Sequence, residues 1–126
     1  MPRYLLDTDV MIDVSRGNTG AATFVDSLDD AAISIITAQE LIVGARDKRD
    51  LEVIDSLVET FRLEHLDGGI GLLAYTLLKR YAKSDGLRTF DALIAATAME
   101  RGLVLASRNR KHFAMIDGLT LDVPSF

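Results

Sequence analysis

The chain has 126 residues, of which 48% are hydrophobic, and its 14 Lys and Arg against 19 Asp and Glu give a net charge of −5. This size and apolar content suit a single domain, residues 1–126, with a buried core, and they exclude a wholly disordered chain. The chain lacks cysteine, which excludes disulfide bonds and a cysteine nucleophile, and its acidic balance is unusual for a nonspecific nucleic-acid binder.

The amino-terminal segment does not have the pattern of an export signal. Asp7, Asp9 and Asp13 interrupt any apolar segment there, and no apolar run in the chain approaches the roughly 20 residues of a membrane span. The lack of cysteine also fits a reducing compartment. We therefore expect a cytoplasmic protein without a membrane partner.

The amino-terminal half begins with an apolar run, Tyr4–Leu6, that stops at Asp7. This pattern is typical of a buried strand that ends in a loop. After it we expect, in chain order, a short helix from Val10 to Val14, a second helix over 19–28, a strand over 31–36, a helix from Thr37 and a helix over 51–61.

The carboxyl-terminal half continues the alternation of strands and helices. We expect, in chain order, a strand over 62–66, a helix over 71–82, a helix over 91–101 that ends at Gly102, a strand over 103–106 and an edge strand over 119–123. The helix over 71–82 is amphipathic, whereas the helix over 91–101 is apolar on nearly all sides and should be buried. The residues that the first of these helices should turn inward are Leu72, Leu73, Leu77, Leu78 and Tyr81. The alternation predicts an α/β fold with a central, mainly parallel sheet flanked by helices.

Several oxygen-bearing side chains fall at one predicted edge of this sheet. Ligands bind beyond the carboxyl ends of parallel strands, near the point where the strand order reverses. The residues that reach this edge are Asp7, Asp9, Glu40, Asp91 and Asn109. Oxygen ligands of this kind suit Mg²⁺ or Mn²⁺, and a shared cation would relieve the repulsion between crowded carboxylates.

Taken singly, each acid also has a purely structural explanation. Asp7 could be a turn residue, Asp9 could cap the following helix, and Asp91 could be a favourable charge at a helix start. Thr37-Ala38-Gln39-Glu40 has the form of a capping box, with Thr37 as the cap and Glu40 as its partner. The local patterns alone therefore leave the role of each acid open.

Four segments in order resemble the four motifs of the PIN-domain family. They are Leu5–Asp9, Ile33–Leu41 followed by Gly44 and Ala45, Phe90–Ala98, and Leu105–Asn109 followed by His112 and Phe113. The resemblance spans nearly the whole chain, and four ordered motifs are far more specific than one.

The resemblance implies a PIN-like three-layer fold and a VapC-type activity. It implies that Asp7, Glu40 and Asp91, with Asp9, bind Mg²⁺, or Mn²⁺ as a substitute, and that Asn109 takes part in catalysis beside them. The implied function is that of a metal-dependent endoribonuclease, the toxin of a type II toxin–antitoxin pair, in which a metal-activated water attacks a phosphodiester. Implied partners are a structured RNA such as tRNA or rRNA, a cognate antitoxin and a second copy of the chain.

The fourth motif departs from the family pattern. Asn109 stands where an aspartate is common, and His112 stands where a further acid is common, which puts a second metal site in doubt. The basic side chains beside them, Arg108, Arg110, Lys111 and His112, are candidates for contact with the RNA backbone, with a solvated charged turn as the alternative.

Three rival functions fit the sequence less well. A phosphatase of the haloacid-dehalogenase family would use Asp7 and Asp9, but only 19 residues follow Ser107, too few for its later acidic pair. A signalling receiver module would need a lysine after the last strand, and no lysine follows Lys111. The serious alternative is a degenerate PIN domain that acts as a non-catalytic RNA- or protein-binding module.

Overall fold

A computed structural model describes residues 2–126 of the chain as alternating strands and helices. The strands are β1 (Tyr4–Leu6), β2 (Ala31–Ser34), β3 (Arg62–Glu64), β4 (Val104–Ala106) and β5 (Leu121–Asp122). The helices are α1 (Thr8–Ser15), α2 (Thr19–Asp26), α3 (Ile35–Val43), α4 (Lys48–Glu59), α5 (Gly68–Asp85), α6 (Thr89–Arg101) and α7 (Arg110–Phe113).

The strands form one sheet in the order β3-β2-β1-β4-β5, and each neighbouring pair is parallel. Leu5 in the central strand β1 pairs with Ala32 on one side and with Leu105 on the other. Parallel neighbours need long crossover connections, which the helices provide. The predicted parallel sheet flanked by helices is therefore confirmed.

Successive residues of the central strand feed two separate cores. Leu5 packs with helices α5 and α6 on one face, whereas Leu6 packs with α1, α3 and α4 on the other. This alternation follows from the two-residue period of a strand. Because both faces of the sheet are covered, the molecule has three layers, and its carboxyl-terminal strand edge is free to form a site.

The start of α3 differs from the sequence-based expectation. β2 ends at Ser34, and the Ser34 hydroxyl accepts a hydrogen bond from the Ile36 amide at 3.0 Å, so Ser34 is the cap. Thr37 lies fully buried inside the first helical turn instead of capping it. The predicted capping box of Thr37 and Glu40 is therefore wrong, because the apolar pair Ile35–Ile36 belongs to the helix and not to the strand.

The face that α5 buries agrees with the prediction at Leu77 and Tyr81 and differs from it at Leu72. Its buried positions are Ile70, Ala74, Leu77 and Tyr81, at helical spacing, and Leu72 on the opposite side is 67% exposed instead of turned inward. α5 has 18 residues, yet no helix described within residues 2–126 is both long and apolar enough to cross a membrane.

Candidate active site

A cleft of about 820 Å³ opens at the carboxyl end of the sheet, next to β1. Every acid predicted at this edge lines it, together with the two unusual residues of the fourth motif: Asp7, Asp9, Glu40, Asp91, Asn109 and His112. The chain leads from β1 to β2 and β3 on one side and then crosses from β3 to β4 on the other side of β1, so the cleft lies where the strand order reverses. The fold thus brings together residues that are about 100 positions apart in the chain.

Asp7 is the most enclosed acid of the cleft, with 4% of its surface exposed. Its backbone amide donates to the Ala106 carbonyl at 2.9 Å, and its carboxylate accepts from the Ser107 hydroxyl at 2.8 Å. Burial raises the pKa of Asp7 to about 7, with a further contribution from the negative charge of Asp9. A buried carboxylate of this kind is costly without a compensating cation.

Asp9 ties the loop after β4 to the start of α1. One carboxylate oxygen accepts from the Val10 amide at 2.8 Å, and the other accepts from the Arg108 amide at 2.9 Å. The N-cap position belongs to Asp7, so Asp9 is not the cap that its position suggested. Burial raises the pKa of Asp9, while these two amide donors lower it.

Two threonine hydroxyl groups hold Glu40 through a chain of two hydrogen bonds. The Thr8 hydroxyl donates to Glu40 Oε1 at 2.7 Å, and Thr8 Oγ1 lies 3.1 Å from Thr37 Oγ1. Because the single hydroxyl proton of Thr8 is used on Glu40, Thr37 must donate to Thr8. The buried Thr37 therefore positions the metal-ligand candidate Glu40, a role that its sequence pattern did not indicate.

Asp91 faces the other acids from the first turn of α6. Burial raises the pKa of Asp91, and the charge of Glu40 adds to that rise. His112 Nδ1 lies 3.3 Å from Asp91 Oδ2, and the charge of His112 opposes the rise. A protonated His112 thus forms an ion pair with Asp91 at the mouth of the cleft.

The donor set of the cleft fits a hard divalent cation. Four carboxylates from three segments of the chain line one cleft, and the pKa values of Asp7, Asp9 and Asp91 are all raised. Within residues 2–126 no three acid or histidine side chains converge closely enough to ligate one ion together. Mg²⁺ commonly takes one or two protein carboxylates and keeps several waters, so acids that stand apart suit it.

The predicted RNA-contact residues divide into two groups. His112 lines the cleft itself, whereas Arg108 lines an adjoining hollow of about 390 Å³, where it pairs with Asp13 at 3.2 Å. Arg110 and Lys111 are exposed on the short helix α7 and line neither space.

Sequence reasoning missed two further kinds of residue. Arg88 lines the cleft and its charge lowers the pKa of Asp91, and a set of apolar residues, the apolar wall, lines the same cleft as the acids. The wall consists of Ile12, Leu78, Ala82, Leu87 and Phe90. Arg88 and Phe90 stand next to Asp91 in the sequence, so their proximity to the third motif was the only available signal.

Comparison with known proteins gives a consistent family assignment. The family model described as PIN domain matches residues 4–119. The chain is 30% identical to Ribonuclease VapC1 of Methanocaldococcus jannaschii, over 96% of this chain and 86% of that protein. It is 35% identical to Ribonuclease VapC10 of Mycobacterium tuberculosis, over 91% of this chain and 89% of that protein.

A solved structure agrees with these sequence relatives. It is described as a toxin-antitoxin complex from Klebsiella pneumoniae and matches with a TM-score of 0.83 and 31% identity, over 97% of this chain and 98% of that one. The match therefore extends over the full arrangement of sheet and helices that forms the cleft. The chain belongs to the PIN-domain family, among the VapC ribonucleases.

Proposed function

We propose that this chain is a metal-dependent endoribonuclease, the toxin of a toxin–antitoxin pair. The observation that supports it best is the cleft in which Asp7, Asp9, Glu40 and Asp91, from separate parts of the chain, face one space. Asp7 is buried there with its pKa raised to about 7, a state that a bound cation would relieve. Proteins of the same family that are named ribonucleases support the same conclusion.

Asp7, Asp9, Glu40 and Asp91 would hold Mg²⁺, or Mn²⁺ as a substitute, with one or two of them as direct ligands and the others acting through its waters. A bound ion of this kind supplies a water of lowered pKa and stabilises negative charge on a phosphodiester. Ser107 fixes the carboxylate of Asp7 by a hydrogen bond of 2.8 Å. Two neighbouring groups then orient the substrate: the amide of Asn109, exposed on the cleft, and His112, which in its cationic form meets a phosphate.

We propose a structured RNA, such as tRNA or rRNA, as the substrate class. Because the net charge of the chain is −5, overall electrostatic attraction does not favour RNA binding, so the RNA must be bound by local groups of basic side chains. Arg88 and His112 line the cleft, and Arg108 lines the hollow that adjoins it. These cations are placed to hold backbone phosphates on either side of the acids.

The proposed partner proteins are an antitoxin and a second copy of the chain. An apolar groove of about 390 Å³ runs between α3, α4 and β3, lined mainly by Ile35, Ala38, Ile42, Val43, Val58 and Leu63. Val43 is 85% exposed there, which is costly for an isolated monomer. We assign this groove to the antitoxin, because a structure similar over nearly the whole chain is a toxin–antitoxin complex.

Cleavage of a pool of small RNAs tests the proposed nuclease. With Mg²⁺ or Mn²⁺ the chain should give discrete products, which EDTA and the substitution Asp7→Asn should abolish. Asp29→Asn is a matched control, since Asp29 is an exposed acid that does not line the cleft, and it should cleave normally. Cleavage that survives both EDTA and Asp7→Asn would contradict the proposal.

A degenerate, non-catalytic binding module is the second candidate. Two observations favour it. Asn109 replaces an acid in the fourth motif, and no three potential metal ligands within residues 2–126 lie close enough together to form a site. If well-folded protein binds RNA but cleaves none with either metal, this second function is the correct one.

A further inference from the structure

One part of the cleft lining has no role in the chemistry proposed above. It is apolar and includes Leu78, Leu87 and Phe90. Hydrolysis of a phosphodiester needs oxygen ligands, cations and water, and none of these is favoured by an apolar wall. The wall therefore points to a part of the substrate that is itself flat and apolar.

Phe90 is the most exposed residue of this wall, ahead of Ile12, which is 39% exposed. Its side chain is 54% exposed, whereas α6 is buried from Ile94 to Ala98 just beyond it. Among the five phenylalanines of the chain, all within the described residues, the other four are buried or partly buried. An exposed aromatic ring forgoes a large favourable burial, so a ligand that covers it gains that contribution.

The charge of the cleft strengthens the need for such a contact. Four carboxylates line it, against the cations Arg88 and His112, so backbone phosphates alone gain little there. Stacking of a base on an aromatic side chain is largely independent of charge and contributes roughly 5- to 150-fold in affinity.

We propose that Phe90 is a stacking platform for an unpaired nucleobase of the RNA, held in the same cleft as the acids. A nucleotide has two groups that suit this cleft. Its flat base can stack on Phe90, and its phosphate can lie near the acids and the metal ion that they are proposed to hold. A base inside a duplex cannot present its face, so the preferred substrate is single-stranded at this position. The inference rests on the proposed nuclease function and adds a specificity-determining residue to it.

The chain contains no tryptophan, which allows a direct test by fluorescence. Phe90→Trp, combined with Asp7→Asn to prevent cleavage, places one tryptophan on the wall. A short single-stranded RNA of mixed sequence should quench its emission, and the same sequence in a duplex should quench it much less. Tyr75→Trp in the same background is the matched control, because Tyr75 is 59% exposed on α5 but does not line the cleft.

Affinity for RNA provides the second measurement. With Asp7→Asn as the background, the Kd of the single-stranded RNA should rise roughly 5- to 150-fold for Phe90→Ala and less for Phe90→Leu, with Phe90→Trp binding at least as well as Phe90. In the active protein, Phe90→Ala should raise KM more than it lowers kcat.

The outcomes separate this proposal from the nuclease function. If the unsubstituted chain cleaves RNA but the tryptophan of the Phe90→Trp variant is not quenched by it, the base site is wrong and the nuclease stands. If that tryptophan is quenched while no metal supports cleavage, the base site stands and the nuclease is wrong. If its emission changes with protein concentration or antitoxin alone, and not with RNA, Phe90 belongs to a protein interface and the proposal is overturned.

Discussion

At the scale of single residues, Asp7 is a candidate metal ligand whose buried charge also destabilises the metal-free fold. Burial holds its pKa near 7, although the same carboxyl in an unfolded chain has a pKa of 3.8. Between these two values the folded state binds more protons than the unfolded state, so its free energy of unfolding falls as the pH rises from about 4 to about 7. Above pH 7 Asp7 is ionised in the folded state, and the metal-free fold is destabilised by the full cost of that buried charge.

Asp7→Asn should therefore stabilise the metal-free protein at alkaline pH. The amide oxygen can still accept from Ser107, and the charge penalty disappears, which corresponds to up to about 4 kcal/mol for a rise from 3.8 to about 7. Urea unfolding in EDTA at pH 8 should show this gain, and at pH 4 the two proteins should be nearly equal. An equal gain at both pH values would show that charge is not its cause.

At the scale of the element, a glycine ends the buried helix α6. Gly102 has a φ of +65°, in the left-handed region, and its amide donates to the Met99 carbonyl. This conformation lets the chain turn from α6 directly into β4, which delivers Ser107 and Asn109 to the cleft. A Cβ added at Gly102 would have no atom within 4 Å, so only the backbone conformation restricts this position.

Gly102→Ala should lower the free energy of unfolding by about 1 kcal/mol, because alanine tolerates positive φ poorly. Gly102→Asn should cost less, since asparagine visits this region more readily. Chemical denaturation at pH 7 measures both. A cost for Asn equal to or larger than that for Ala would indicate a steric cause that the structure does not contain.

The exposed end of α3 offers a test of the proposed antitoxin surface. Val43→Arg places a charge at the rim of the apolar groove, where Val43 is 85% exposed, and should weaken the complex with the cognate antitoxin at least tenfold. Cleavage of RNA should be unchanged, because Val43 does not line the cleft. Titration calorimetry measures the affinity for the antitoxin, and an unchanged affinity would show that the antitoxin binds elsewhere.

The success of sequence reasoning also varied by element. Asp7, Glu40 and Asp91 could be placed in one cleft because strand ends and helix starts are fixed by local patterns and by the family motifs. The cap of α3 was misplaced because Ser34 and Thr37 both suit a cap, and only the extent of strand pairing decides between them.

Residues that depend on packing between distant elements could not be placed from local patterns. Leu72 and Leu73 are adjacent, and which of them faces the sheet depends on how α5 packs against α6. The same packing brings Leu78 and Phe90 to the cleft. The hydrophobic periodicity of one helix does not determine how that helix packs against another.

At the scale of the whole molecule, metal binding should stabilise the fold itself. An ion that binds only the folded state at ten times its Kd adds about 1.4 kcal/mol, or roughly 4 to 7 °C in Tm for a chain of this size. The gain should be larger at pH 8 than at pH 5, because Asp7 is largely protonated below its pKa of about 7. Thermal unfolding with Mg²⁺ against NaCl of equal ionic strength measures it, and identical Tm values would argue against a metal site.

The parallel pairing of β1 with β4 also has a consequence for synthesis of the chain. Asp7 emerges from the ribosome about 100 residues before its partners Ala106 and Ser107, and Asn109 follows them. Until those residues have been translated, the first acid of the cleft lacks the strand beside it and the hydroxyl that orients it. A nascent copy of the proposed nuclease would therefore lack a complete cleft until β4 and Ser107 have left the ribosome.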